Sequence, residues 1–356
     1  MAGIFGFDHG GQHVALHLRR RPQGGAGRAR GRPVPADRGC GCRQGGRAGS
    51  HVPAMSGCPC QVSVIIPTYN RPELLRDCLR SVAALDGDRS LVEVIVVDDG
   101  SRMSCESVVR ETMQGVRFRY LRQENSGPAA ARNTGASCAG GQYLAFLDDD
   151  CRLNRDWLQC LGGELDGDAM LAGRTVNGLE GNLFSAASQD LVEYLYLYFN
   201  SGHSEARFVT SNNMIVPAAG YRRIGGFSPL FTGAAAEDRD FCDRWLQEGF
   251  AIRYVPTVIV EHFHAMTLAG FLRQHYNYGR GAQTYHACRR MRGAGAVRME
   301  PLRFYLDLMV YPVKRRRAPR SWLLACCLIL SQASNAAGFF AARGAGKESR
   351  AAEIVP

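Results

Sequence analysis

Lysine is nearly absent from this 356-residue chain: Lys314 and Lys347 are the whole complement, and arginine supplies the rest of the 43 basic residues. A ratio so skewed points to a GC-rich gene and says little of function. No C-x-x-C pair occurs among the 13 cysteines, an odd number scattered from Cys40 to Cys327. A disulfide framework is therefore not expected, and reduced thiols are the simpler reading. Cys40/Cys42 and Cys58/Cys60 are spaced C-x-C, outside the usual gap of zinc ligand pairs, so no zinc is assigned to them. Arg19–Arg21 is followed by proline and glycine and not by an apolar stretch, so no secretory signal is expected. A G-x-x-x-x-G-K-[ST] loop is missing, as is a Gly-x-Gly-x-x-Gly turn after the first strand-like run; these absences argue against an NTPase and a dinucleotide-binding protein.

The net excess of charge sits mostly in one segment. The net charge is +10, but residues 1–57 carry nine Arg against Asp8 and Asp37, which leaves +3 for everything else. A nucleic-acid binder shows its basic excess on a folded face, so no nucleic-acid partner is expected. The same 57 residues hold fourteen glycines and no sustained apolar period, and they read as a disordered segment. Met55, just before the first strand-like run, is a candidate translation start. With 46% apolar and 21% charged residues, the chain has globular composition and not that of a collagen-like or multi-span membrane protein.

From Cys60 onward the pattern changes. Val62–Pro67 is a short apolar run with a polar tip, Thr68-Tyr69-Asn70, and Arg71-Pro72 beyond it. This predicts a buried strand feeding a helix, with Leu74, Leu75, Cys78, Leu79 and Val82 on one apolar face. Leu91–Val97 predicts a second strand ending in Asp98-Asp99-Gly100-Ser101, with a helix near 104–114. Val116–Leu121 predicts a third, followed by Asn125-Ser126-Gly127-Pro128 and a helix over Ala129–Ala139. Gln142–Leu147 predicts a fourth, ending in Asp148-Asp149-Asp150. Strands alternating with helices imply a mostly parallel, Rossmann-like α/β sheet with helices on both faces, whose ligand crevice lies beyond the carboxyl ends of the strands. Three of the four strand tips are polar, and they converge there.

Three adjacent carboxylates repel one another unless a cation offsets them, and Arg152 is the one basic residue beside them. A divalent metal is the expected resolution. In an extended segment Asp148 and Asp150 face one site and Asp149 another. Oxygen ligands favour Mg²⁺ or Mn²⁺, which complete their shells with water and substrate phosphates, so the substrate is expected to carry a nucleoside diphosphate.

The strings Val62-Ser-Val-Ile-Ile-Pro-Thr-Tyr-Asn-Arg, Val96-Val-Asp-Asp-Gly-Ser, Ala131-Arg-Asn-Thr-Gly and Phe146-Leu-Asp-Asp-Asp, in that order, strongly resemble the family 2 glycosyltransferases with the GT-A fold. The resemblance runs from about 61 to 285. It implies an inverting, metal-dependent transferase with a nucleotide-binding half at 58–150 and an acceptor-binding half at 151–290. Pro67, Thr68, Asn70 and Arg71 would line the nucleotide pocket. Asp98 or Asp99 would bond the base or ribose, with Ser101 beside them. Arg132 would sit near the diphosphate. Asp148 and Asp150 match the D-x-D motif, with Asp150 the direct metal ligand and Asp148 a ribose or metal contact, and Asp149 between them would belong to the nucleotide site.

Gly233–Ala236 is a small-residue loop, and Glu237-Asp238-Arg239-Asp240-Phe241 opens an apolar-periodic helix. Acidic residues suit any helix start, but these match the family's E-D motif. The resemblance makes Asp238 the base and Glu237 the residue that orients the acceptor or the loop. Beyond a strand at Ile252–Val255 and Pro256, a second β-segment from Val258 ends in His262 and His264; His262 is the choice for a third metal ligand. Gln274-His275-Tyr276-Asn277-Tyr278 replaces the Q-x-x-R-W of processive relatives, which implies addition of a single sugar. The aromatic run Tyr194–Phe199 lies in a stretch, 177–232, expected to shape the acceptor side, although such aromatics are more often core.

Residues 291–356 read as a basic and hydrophobic helical tail. Lys314, Arg315, Arg316, Arg317 and Arg320 precede an uncharged stretch, Ser321–Ala342, which Ser331, Gln332, Ser334 and Asn335 interrupt. Three placements stay open: a bilayer span, an interfacial helix drawn to anionic lipid, or a helix packed on the enzyme, with peripheral contact through 314–342 preferred. The expected partners are a nucleotide-diphospho-sugar donor and a glycan or lipid-linked acceptor, at the cytoplasmic face of the cell membrane, in cell-envelope glycan or glycolipid synthesis. Two other functions remain: a sugar-nucleotide nucleotidyltransferase, and a non-catalytic scaffold that keeps the sheet.

Overall fold

The computed structural model describes residues 61–352, apart from 166, 201–205, 232, 234, 296–299 and 317. The expectations for residues 1–57 and for Met55 lie outside the described residues. The first half runs β1 (Val62–Thr68), α1 (Pro72–Ala83), β2 (Val92–Asp98), α2 (Glu106–Thr112), β3 (Arg117–Arg122), α3 (Pro128–Ser137) and β4 (Tyr143–Phe146). All seven residues of β1 and of β2 are buried. Such continuously buried runs need cover on both sides. Val62, Val64 and Ile66 pack with Leu75, Leu79 and Val82 of α1 on one face, while Ile65 meets Ala129 and Ala131 of α3 on the other. A Cβ on Gly135 would lie 2.5 Å from Ile65 Cγ2, so only glycine lets α3 seat this closely.

The second half contributes β5 (Cys151–Leu153), α4 (Trp157–Gly162), β6 (Met170–Asn177), α5 (Leu183–Phe199), β7 (Met214–Pro217), α6 (Ala218–Ile224), α7 (Glu237–Gln247), β8 (Ile252–His262), α8 (Leu268–Met291), α9 (Leu302–Arg316) and α10 (Arg320–Ala352). The eight strands form one mixed sheet in the order β3-β2-β1-β4-β7-β6-β8-β5. The expected parallel unit is β3-β2-β1-β4. β7 then enters antiparallel to both β4 and β6, so the sheet is mixed beyond that unit. In-register pairing aligns Thr68 with Asp98 and Asp98 with Arg122, which sets the polar tips side by side.

One expectation needs correction. The two strands foreseen around Pro256 are one: Gly173 pairs with Val255 and Arg174 with Ile259, so residues 256–258 bulge out of the ladder. Proline's missing N–H costs nothing at such a position. The aromatic run is largely core, the commoner place for such residues: Tyr194, Tyr196 and Phe199 of α5 are buried, and Tyr194 packs on Phe304 of α9. The basic cluster expected to face lipid is partly consumed within the protein, since Arg315 and Arg316 pair with Asp190, and Arg315 also with Glu193. Lys314 pairs with Asp307. The nine cysteines among the described residues are free thiols.

Candidate active site

The site is assembled at the carboxyl ends of β1, β2 and β4, and hydrogen bonds between the tips hold it. Asn70 adopts a left-handed backbone, φ 56°, a conformation asparagine tolerates better than most residues. Its N–H donates to Ser101 Oγ at 2.9 Å and its Oδ1 accepts from Arg102 N–H at 2.8 Å, which ties the first tip to the second. Gly100 is also left-handed, and a Cβ there would meet Asn125 N at 2.8 Å. Thr68 Oγ1 donates to Asp149 Oδ2 at 2.7 Å, which joins the first tip to the triple-aspartate turn.

Asp98 and Asp99 are turned into the protein. Asp98 is fully buried; its Oδ1 accepts from Ser101 N–H, and its Oδ2 from Cys105 N–H and the Tyr120 hydroxyl. Asp99 accepts from Gln123 Nε2 and from the N–H groups of Ser126 and Gly127 at the entry to α3. Both carboxylates hold loops in place, where the sequence suggested direct ligand contacts.

The triple-aspartate turn is met by cations of the protein's own, and Arg152, its neighbour in sequence, is not among them. Arg152 pairs with Asp77 at 2.6 Å and covers the Phe263 ring, away from the turn. The cations come from distant segments instead. Arg71 reaches Asp149 and Asp150, each at 2.9 Å. Arg132 of α3, buried, donates to Asp148 at 2.7 Å. Asp149 is sealed, and burial pushes its pKa up to about 7 although Arg71 pulls the other way. Asp150 is also buried but is held well below the carboxylate range, because His262 and His264 each approach it at 3.2 Å. His264, passed over in favour of its neighbour, is thus an equal contact, and alternation along the chain beyond β8 was the available signal. The ligand atoms of Asp150, Cys151 and His262 lie within 4.8 Å of one another. Cys151 enters this group because β5 pairs it directly opposite His262.

The second acidic pair sits at the start of α7, launched by Ala236 in a left-handed conformation, φ 68°. Arg132 bridges the two sets: its Nη2 donates to Asp148 and its Nη1 to Glu237 Oε1 at 3.1 Å. Burial would lower its pKa, but the two carboxylates outweigh that and raise it. Asp238 accepts one hydrogen bond, from Arg239 N–H at 2.7 Å, and pairs with no cation among the described residues. Burial and the adjacent Glu237 charge push its pKa up to about 7. A cleft of about 810 Å³ is lined by Arg71, Arg132, Asp148, Asp150, Glu237 and Asp238 together. The histidines His262 and His264 line it too, as do Gln274, Asn277 and Tyr278 of α8, while Leu195, Phe208 and Met266 make part of its wall apolar. Such a cleft can hold a polyanionic ligand against cations at one end and take up a proton at Asp238.

Residues 63–224 match the family model described as Glycosyl transferase family 2. The chain is 34% identical over 230 residues to the pre-mycofactocin glycosyltransferase of Mycobacterium tuberculosis, an alignment covering 62% of this chain and 46% of that protein. It is 28% identical over 229 residues to glycosyltransferase AglE of Haloferax volcanii, covering 62% and 72% respectively. The chain thus spans about half the length of the first relative. Among solved structures, the mannosyltransferase PcManGT of Pyrobaculum calidifontis, in complex with GDP-Man and Mn²⁺, has a similar fold, with TM-score 0.52 and 20% identity over 83% of this chain and 81% of that one.

Proposed function

Because the chain carries a family 2 glycosyltransferase domain of GT-A architecture, we propose that it transfers a single sugar from a nucleotide-diphospho-sugar donor to an acceptor hydroxyl, with inversion. The observation that carries this reading is the Arg132 bridge, which puts the D-x-D turn and the Glu237–Asp238 pair on one cleft. The donor of the mannosyltransferase neighbour, GDP-Man, is of this class. Pro67, Thr68, Asn70, Arg71 and Ser101 border the nucleoside, while Asp98 and Asp99 keep their loops in shape. Arg132 and Asp148 form the diphosphate side, with the sealed Asp149 bracing the turn behind them.

The residues present fit a divalent cation of the Mn²⁺ or Mg²⁺ kind: carboxylate oxygens with imidazole nitrogens are suitable donors, and Asp150 lies within 3.2 Å of both histidines. Asp148, Asp150 and His262 would hold it, with His264 as a further imidazole. When bound it supplies charge neutralisation on the diphosphate. Asp238 accepts the proton of the acceptor hydroxyl as that oxygen attacks the anomeric carbon from the face opposite the nucleotide. The new glycosidic bond forms as the bond to the diphosphate breaks, and the electron pair leaves with the diphosphate. Glu237, fixed by Arg132, orients the loop beside it. A glycan or lipid-linked hydroxyl at the cytoplasmic face of the cell membrane, in envelope glycan or glycolipid synthesis, is the acceptor this reading favours. The Gln274–Tyr278 segment, in place of Q-x-x-R-W, favours one addition over polymerisation.

The test is Asp238→Asn. General-base catalysis contributes about 10²- to 10⁴-fold, so sugar transfer in a donor screen with Mn²⁺ should fall by that factor while nucleotide binding with Mn²⁺, read by thermal shift, is unchanged. Unchanged turnover refutes the role of Asp238. Binding without any transfer by the unsubstituted protein, across donors and acceptors, favours a scaffold.

A further inference from the structure

α10 is apolar on its outer face although its buried side, besides Leu324, Leu328 and Phe339, takes up the polar residues of the helix. Its buried side carries Ser321, Ser331, Gln332 and Asn335, and Ser334 donates to Leu272 O of α8 at 2.7 Å. Its exposed side presents Trp322, Leu323, Ile329, Leu330 and Phe340. The exposed positions between them are Cys326, Ala333 and Ala337, so no charge interrupts the stripe from Arg320 to Arg343. The four polar residues that break up the sequence as a membrane span therefore all face the protein. α9 adds a second exposed apolar row at helical spacing, Leu302, Leu306 and Val310.

The outward face is fixed by close helix packing. A Cβ on Gly279 of α8 would sit on Asn335 O, and one on Gly338 of α10 would sit on Tyr276 O, each at 1.9 Å. Backbones meeting at small residues leave little freedom for α10 to roll. From Trp322 to Phe340 the stripe is about 27 Å long at 1.5 Å per residue, far larger than the scattered apolar side chains of an ordinary soluble surface.

We propose that α10, with α9 beside it, docks on a lipid bilayer and lies in the plane of its surface with this stripe immersed. The inference stands apart from the sugar-transfer reading. Cations frame the stripe: Arg320 and Arg343 at its ends, Arg303 and Lys314 on α9, against Asp307 as the one carboxylate on these helices among the described side chains. That frame complements anionic headgroups. It disfavours a second copy of the chain, because self-pairing would bring two arginine-bordered faces together. A spanning pose is also disfavoured. α10 runs along α8, whose exposed Arg273 and Arg280 line the cleft, and crossing the bilayer would carry those charges into hydrocarbon.

The experiment is co-sedimentation of the full chain with vesicles of phosphatidylcholine, with and without phosphatidylglycerol, together with quenching of tryptophan by brominated lipid. Trp157 and Trp245 are buried while Trp322 is exposed, so quenching reports on this face. The expected result is sedimentation with vesicles, stronger with phosphatidylglycerol, and quenching of Trp322. Ile329→Glu with Leu330→Glu should lower the vesicle partition by about tenfold or more, with an unchanged circular dichroism spectrum and melting temperature as evidence of folding. A folded double variant that still sediments overturns the proposal. So does an unsubstituted chain that stays in the supernatant with every vesicle, whether or not it elutes as a dimer. Phe340→Trp in a Trp322→Phe background should be quenched at the same depth as Trp322; quenching at a different depth overturns the in-plane placement.

Discussion

The two acidic sets share a cleft and a bridging arginine, yet their surroundings are opposite. The Asp148–Asp150 turn is anchored from every side: Arg132 holds Asp148, Thr68 and Arg71 hold Asp149, and Arg71 with two histidines holds Asp150. At the start of α7, Glu237 takes the other arm of Arg132, while Asp238 has a single backbone hydrogen bond and no paired cation among the described residues. Asp150 is kept charged by its partners; Asp238 is kept hungry for a proton by burial and a neighbouring charge. Residue type alone does not separate an anchor from the base proposed at Asp238. Environment does.

The sharpest way to break this comparison is to remove what the two sets share. Arg132→Met leaves Asp148 and Glu237 without their common cation, and Glu237 is buried. Removing one partner of a buried ion pair costs about 3–5 kcal/mol, so the urea midpoint should drop by an amount of that order. A change below about 1 kcal/mol would mean that solvent, not Arg132, compensates the carboxylates. Next comes Thr68→Val, which strips a hydrogen bond from sealed Asp149. About 1–3 kcal/mol is expected in the same measurement.

These two predictions also show where sequence reasoning stopped. The polar tips at Thr68–Asn70, Asp98–Ser101 and Asp148–Asp150 are legible because each ends an apolar run of strand length. The E-D pair is legible by motif and by its place at a helix start. The counter-charges are not, because Arg71 and Arg132 are 77 and 16 residues from Asp148 in the chain and only the sheet brings them to it. Arg152 was adjacent in sequence, but strand alternation aims it at Asp77. The same gap explains α10: hydropathy registers Ser331, Gln332 and Asn335 as interruptions, and only packing against α8 shows that they point inward.

The pH dependence sharpens the comparison further. Asp238 has a folded pKa pushed up to about 7, above the roughly 3.9 of an unfolded aspartate. Between those values the folded chain binds the proton more tightly, so its contribution to stability is present at low pH and is lost as pH rises toward 7. Asp150 has the opposite sign, since its lowered pKa contributes stability above about 3.9 that is lost in acid. As a base, Asp238 must be ionised. Transfer should fall about tenfold per pH unit below 7, and a rate profile flat from pH 5 to 8 would remove Asp238 from that role.

The smallest expected effect is the most discriminating. Asp149 has a pKa raised to about 7 as well, so a pH profile by itself does not tell the two aspartates apart. Their geometry does: Asp149 has no exposed surface and lies against Thr68 and Arg71, out of reach of an acceptor, while Asp238 lines the cleft. Asparagine resembles a protonated aspartate and still offers Thr68 an oxygen. Asp149→Asn should therefore keep transfer within about fivefold, shift stability by about 1 kcal/mol, and leave the acid limb of the rate profile where it was. Should that limb vanish in Asp149→Asn and persist in Asp238→Asn, the anchor and the base have been assigned to the wrong sets.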